Sequence, residues 1–149
     1  MVYSFLDTVC TITGPGGTVS LGAGNANAEE GISVEFTEET DTMQIGADGS
    51  VVHNLHASKA GRFMIHLLKQ SPQNYLLTTL YNYQRSTSLF WAQNTLVLSN
   101  QVTGDVYTGV GAAFERFPRN TYSKESTQIE WGFNCSQIIA TLGSLLQPI

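Results

Sequence analysis

One short segment near the C-terminal end constrains the fold more than any other. From Thr127 to Ser136, Ile129, Trp131, Phe133 and Cys135 alternate with Gln128, Glu130, Gly132 and Asn134. A period of two sends successive side chains to opposite sides of an extended chain. The segment is therefore a strand with one apolar and one polar face, and such a strand needs several partners to be stable. The rest of the chain offers them. Ile32, Val34 and Phe36 alternate with Ser33, Glu35 and Thr37. In Gly61 to Lys69, Phe63, Ile65 and Leu67 share one face, while Arg62, Met64, His66 and Leu68 share the other. Tyr3 to Thr13, Thr18 to Leu21, Ser50 to Ala57, Leu89 to Leu98 and Gly104 to Phe117 are also strand-like. The Gly14-Pro15-Gly16-Gly17 turn joins the first two of these into a hairpin.

One helix is predicted, over about 72–85. Ser71 supplies an N-cap oxygen, and Pro72 suits the first helical position, where a backbone N–H would be unpaired anyway. Leu76, Leu77, Leu80 and Tyr81 follow at helical spacing, with Asn74, Thr78 and Asn82 on the other side. Gly22 to Gly31 reads as a loop of small residues. Pro118 ends a strand, a polar loop runs from Arg119 to Ser126, and Ile138 to Leu146 reads as a short helix or an arm. The expected fold is mainly β, a β-rich α+β arrangement of two packed antiparallel sheets forming a barrel-like body with the helix against it. At 149 residues the chain fits one domain, 1–149, with room for a substantial core.

Charge is sparse and unevenly placed. Before Lys59 there is no Lys or Arg, while Asp7, Glu29, Glu30, Glu35, Glu38, Glu39, Asp41 and Asp48 are all acidic. All the basic residues, Lys59, Arg62, Lys69, Arg85, Arg116, Arg119 and Lys124, come later, among only four further acids. If the two parts show at opposite faces, copies of the chain attract each other in one orientation. Otherwise the acids decorate a solvated loop. The segment Glu38 to Gly49 is acidic, with little apolar periodicity. It reads as a long exposed loop, or as a hairpin around 37–50 with its apex near Glu38 to Thr42, and loops of that length are commonly functional. A nucleic-acid reader would carry a basic stripe with interleaved aromatics, which is not present.

No reaction chemistry emerges. His53 and His56 are three apart in a strand-like segment and point to opposite faces, and His66 is on another strand. Neither they nor the distant Cys10 and Cys135 have the spacing of a metal site. The acids around Asp41 lack the ligand order of a calcium loop. The glycine clusters are not followed by the helix and Lys-Ser/Thr of a phosphate loop, and no serine sits in a nucleophile elbow. The expectation is no enzyme, no cofactor and no metal. The apolar run Phe63 to Leu68 is too short to span a bilayer, and no basic leader with an apolar segment opens the chain. That is the pattern of a soluble protein made in the cytoplasm.

The ordered set of these signals carries a resemblance. It runs through Val9-Cys10-Thr11-Ile12-Thr13-Gly14-Pro15-Gly16-Gly17, Gly31-Ile32-Ser33-Val34-Glu35-Phe36 and Gly46-Ala47-Asp48-Gly49. It continues with Ser58 to Asn74, Gly111 to Pro118 and Gln128 to Phe133. The chain resembles the tail-tube proteins of contractile-tailed bacteriophages (myoviruses), which are related in fold to the inner tubes of type VI secretion systems and pyocins. The resemblance covers nearly the whole chain and implies a virion protein made in the host bacterial cytoplasm. It implies homohexameric rings stacked into a tube, a sheath outside, baseplate and tail-terminator proteins at the ends, and tape-measure protein and DNA in the lumen. On this resemblance Glu38, Glu39, Asp41, Thr42, Met43 and Asp48 belong to a loop that contacts the neighbouring ring or subunit. Glu29, Glu30 and Glu35 are acidic candidates for the lumen or the stacking face. A monomeric ligand-binding β-barrel, or another capsid or baseplate protein, would satisfy the same strand count.

Overall fold

The structure is a computed structural model that describes residues 8–22, 31–125 and 127–146. In chain order the elements are β1 (Thr8–Gly14), β2 (Gly17–Gly22), β3 (Gly31–Phe36), β4 (Asp41–Ile45), β5 (Val51–Leu55) and β6 (Gly61–Leu68). There follow α1 (Gln73–Arg85), a 3-10 turn at Ser88–Phe90, β7 (Asn94–Asn100), β8 (Asp105–Phe114) and β9 (Gln128–Thr141). Seven strands form one antiparallel sheet in the order β2-β1-β7-β8-β9-β6-β3, and β4 and β5 form a second, two-stranded sheet. The large sheet curls into a half-barrel with α1 packed at its side, so the mainly β, barrel-like body expected from the sequence is present.

The strand with the clearest alternation lies within the body, with β8 on one side and β6 on the other. Its inward residues Trp131 and Phe133 are 1% and 0% exposed and meet Phe63, Ile65 and Leu67 of β6. Phe114 of β8 tilts against Phe133 with ring centroids 4.6 Å apart and meets Trp131 edge-on at 5.7 Å. The interior of the half-barrel is thus filled by side chains. The β1–β2 hairpin pairs Gly14 with Gly17 across Pro15-Gly16, as the turn residues require. Gly16, at φ 103°, adopts a conformation that only glycine enters freely, and an added Cβ would lie 2.9 Å from Tyr83 Cδ1.

Ser71 Oγ accepts the Gln73 N–H at 3.2 Å, so the expected cap forms, and regular helix begins at Gln73. The helix faces the core through Leu77, Leu80 and Gln84, a line of i, i+3 and i+7. Leu76, expected on the packed face, is instead 45% exposed, because it lies to one side of the buried line through Leu77, Leu80 and Gln84.

Three further expectations are corrected. The strand expected from Leu89 starts only at Asn94. Thr87 Oγ1 accepts the Leu89 N–H at 3.3 Å and closes a 3-10 turn, and Ala92 then takes a positive φ of 62°. The segment from Ile138 is neither helix nor arm at first, since β9 runs on to Thr141 in register with β8. Ile138 there is 2% exposed and gives its N–H to Lys59 O at 2.8 Å, so tertiary pairing decides its conformation. The apex of the acidic hairpin lies at Gly46–Ser50, not near Glu38 to Thr42. Gly46 N–H bonds Ser50 O at 2.7 Å, and Gly49 turns the chain with φ 85°. The predicted Gly22–Gly31 loop and the start of the Tyr3 strand lie largely outside the described residues.

Candidate functional site

Two kinds of surface stand out where a chain of this fold would meet others. The first is the boundary of the large sheet. Among the described residues β2 and β3 are its outermost strands, each paired on one side only. An unpaired strand edge is a ready template for another chain. β3 is bounded inward by Ile32 and Val34, which pack on the core, and presents Ser33 and Glu35 outward.

The second is the β4–β5 hairpin. Its register pairs Asp41 with Leu55, Met43 with His53 and Ile45 with Val51, which puts all six on one face. The other face carries Thr42, Gln44, Val52 and Asn54. On the first face Met43, Ile45, Val51 and Leu55 are 55%, 66%, 47% and 83% exposed, although all four are apolar. His53 Nδ1 lies 2.8 Å from Asp41 Oδ2 on the same face, and Thr42 Oγ1 lies 2.9 Å from His56 Nε2 on the other. Asp48 closes the apex by accepting the Ser50 N–H at 3.0 Å and the Ser50 hydroxyl at 2.7 Å. The Ser50 hydroxyl, then its N–H, hold the Asp48 carboxyl below its ordinary range.

Of the residues singled out in the sequence, Asp41, Thr42, Met43 and Asp48 come together on this hairpin, and Glu38 and Glu39 lie exposed at its base. Glu35 stands apart on β3, opposite Arg62 in the register. Glu29 and Glu30 lie outside the described residues. Val51 and Leu55 were missed as members of the apolar face. Testing Met43-x-Ile45 against Val51-x-His53-x-Leu55 for a period of two would have found them.

A cleft of about 540 Å³ opens on the face of β6 and β9 that points away from the core. Arg62, Met64, Glu130 and Gly132 line it, and the segment from Glu115 to Arg119 forms its rim. Glu115 is 23% exposed and takes Arg62 at 3.0 Å and Arg116 at 3.8 Å. Gly132 leaves the room for this, since a Cβ there would lie 2.5 Å from Glu115 Oε2. Among the described residues no group of His, Cys, Asp and Glu is placed to hold a metal ion, and no helix is long and apolar enough to cross a membrane.

The fold is shared with chains of solved contractile machines. A chain of an extracellular contractile injection system, the PVC sheath-tube complex in its extended state, superposes with a TM-score of 0.52 at 9% identity, over 89% of this chain and 88% of that one. A chain of the anti-feeding prophage tube-terminating cap matches at 0.50 and 10% identity, over 89% and 87%. One from the anti-feeding prophage baseplate matches at 0.50 and 9%, over 90% and 91%. A comparison with curated protein sequences returns no match. At this level of identity the likeness is one of fold, and it places the chain among β-rich domains built on the same curled sheet. Over residues 1–143 the sequence matches the family described as Bacteriophage PhiTE tail tube protein, and the chain belongs to that family. It is a structural component of a phage tail, in a family whose members are not enzymes.

Proposed function

We propose that this protein polymerises through its own copies into the inner tube of a contractile phage tail, as hexameric rings stacked end to end. The observation that carries this is the β4–β5 hairpin. A two-stranded ribbon is marginal in water by itself. One with four exposed apolar side chains on a single face gains stability only when that face is covered. A second copy supplies the cover in a homopolymer, with Glu38, Glu39, Asp41, Thr42, Met43 and Asp48 at or beside the contact between rings. The outer strands β2 and β3 supply further pairing groups around the ring, in a closed heterologous interface.

The tube reading brings its partners with it. One solved neighbour belongs to a sheath-tube complex, another to a tube cap and a third to a baseplate. The corresponding partners here are a tail sheath protein outside and baseplate and terminator proteins at the ends. Tape-measure protein and DNA occupy the lumen without sequence reading. A lumen wall without basic residues lets DNA pass, because cations that neutralise phosphates would hold it. Glu29, Glu30 and Glu35 are candidates for that wall or for the stacking face. A monomeric ligand-binding barrel is not favoured, since Trp131, Phe63 and Phe133 fill the space where a ligand would sit.

Negative-stain electron microscopy of the purified protein at low and high concentration tests the proposal. Rings or tubes with a central hole are expected. Solid particles without a hole, at concentrations where the protein is associated, would reject it.

A further inference from the structure

We propose that the arginine-lined cleft beside β9 receives the Glu38–Glu39 bend of a second copy of this chain. The inference rests on the self-assembly reading above and names the surface that accepts the acidic segment. The cleft exists because the sheet splits there. β8 follows β9 only as far as the Phe114–Phe133 pair and the bond from Glu115 N–H to Gly132 O. The chain then departs as the rim, so the edge of β9 from Gln128 to Trp131 has no β8 partner, while β6 covers its other edge.

Three cations gather at this split from two parts of the chain. Arg62 rises from β6, and Arg116 and Arg119 from the departing segment. Glu115 already serves both Arg62 and Arg116, and Glu130 lies 3.4 Å from His66 Nδ1. Arg119 has no carboxylate partner among the described residues. The Arg62 Nε is buried and has no hydrogen-bond acceptor among the described residues. A buried donor without a partner is rare in folded proteins and leaves the hydrogen bonding of this guanidinium incomplete, while its outer part stays partly exposed to the cleft. The chemistry that fits is a carboxylate, which binds guanidinium groups through two parallel N–H donors.

The same chain carries the matching group. Glu38 and Glu39 are adjacent, exposed and without an ion-pair partner among the described residues. No Lys or Arg occurs anywhere before Lys59, so their own segment holds no lysine or arginine to pair with them. Seating this bend in the cleft of the next copy joins the acidic and basic parts of two chains in one orientation.

The test is a charge exchange read by pelleting and electron microscopy. Three full-length variants are made: Arg116→Glu with Arg119→Glu, Glu38→Lys with Glu39→Lys, and all four together. Circular dichroism melting verifies that each is folded. All four positions lie outside the core, so the melts are expected to match. Each pair alone should raise the concentration needed for assembly by about tenfold, and the fourfold variant should recover most of it. Assembly of either pair variant at the wild-type concentration overturns the inference while leaving the tube reading intact. Loss in the arginine pair without recovery in the fourfold variant also overturns it, and points to a different protein as the cleft's occupant. If the wild type stays monomeric at every concentration, both the inference and the self-assembly reading fall.

Discussion

Gln84 and Asn94 hold each other through two reciprocal amide hydrogen bonds, both of 2.7 Å, in a place where neither side chain is exposed. Gln84 Nε2 also donates to Pro15 O at 3.1 Å. One buried amide pair therefore ties the end of α1 to the start of β7 and to the β1–β2 turn. Every side chain bonded there is neutral, so its value lies in completeness. Removing one partner strands the other without water, which costs about 1–3 kcal/mol. Asn94→Ala and Gln84→Ala should each lower stability by roughly 2 kcal/mol, while the double variant should cost clearly less than their sum. Urea unfolding of the four proteins, with their midpoints compared at constant slope, measures the coupling. Strict additivity would mean the two amides do not act together.

Gly14 backs the same pair. A Cβ at position 14 would overlap Asn94 Oδ1 and lie 2.9 Å from Asn94 Cγ and 3.1 Å from Gln84 Nε2. Asn94 cannot swing away without breaking both amide bonds. Gly14→Ala is expected to destabilise by at least as much as Asn94→Ala, about 2 kcal/mol or more. In the Asn94→Ala background the same substitution should cost much less, because the oxygen it strikes is gone. A thermal-melt comparison in the two backgrounds decides this.

The two thiols give the fold an alkaline limit. Burial pushes Cys10 up to about 12, with Cys135 adding to the shift, and burial pushes Cys135 up to about 11. The unfolded chain releases these protons first, near the ordinary value of 9.0. The folded state then binds more protons than the unfolded one, so the stability carried by the thiols is complete below pH 9 and falls as pH rises through that window. Melting temperatures recorded from neutral pH to above pH 10 should decline more steeply for the wild type than for Cys10→Ala/Cys135→Ala. Parallel curves would show that the thiols titrate alike in the folded and unfolded chain, and would reject the shift. Native protein should also resist alkylation at pH 8, where both thiols are protonated and Cys10 is fully buried.

These contacts show how far residue patterns reach. The alternation of Ile129, Trp131, Phe133 and Cys135, and that of Phe63, Ile65 and Leu67, is a local trace of one-sided burial, so both strands and their buried faces were legible. Gly14-Pro15-Gly16-Gly17 and Ser71-Pro72 carry their turn and cap chemistry within a few residues and were legible for the same reason. Gln84 was not, because a glutamine on a helix reads as solvated until Asn94 is known to face it. The apex at Gly46–Ser50 was obscured by Glu38 and Glu39, whose charge suggested a turn where the chain only bends. The cleft was not visible at all, since Arg62, Glu115 and Arg119 meet only after β8 leaves β9. The hairpin residues from Asp41 to Asp48 were legible as a special segment by their acidity. Their apolar partners Val51 and Leu55 were not.

Asn74 links three elements through one side chain. Its Oδ1 accepts the Trp131 indole N–H at 3.0 Å, and its Nδ2 donates to Leu68 O at 2.8 Å. The first turn of α1 is thereby fixed to the ends of β6 and β9. Asn74→Leu keeps the bulk but leaves the indole N–H without an acceptor among its present neighbours, at an expected cost of about 1–3 kcal/mol. Unfolding curves followed by tryptophan emission should show the lower midpoint together with a shift of the native emission. An unchanged spectrum would mean that a water has replaced the amide.

The apolar face of the β4–β5 hairpin separates stability from assembly. Ile45 and Leu55 contribute almost nothing to the monomer core, being 66% and 83% exposed. Ile45→Ser with Leu55→Ser should leave monomer stability within about 0.5 kcal/mol of wild type for each site, the range of ordinary surface changes. Burying the two side chains against another copy removes apolar area worth roughly 1.5–3 kcal/mol per residue. Repeated at every contact, that loss should abolish long assemblies at concentrations where the wild type forms them. Sedimentation and microscopy of the variant, set beside its melting curve, read the two effects separately. A destabilised monomer would mean the hairpin packs on its own chain. A stable monomer that still assembles like wild type would remove the hairpin from the contact between copies.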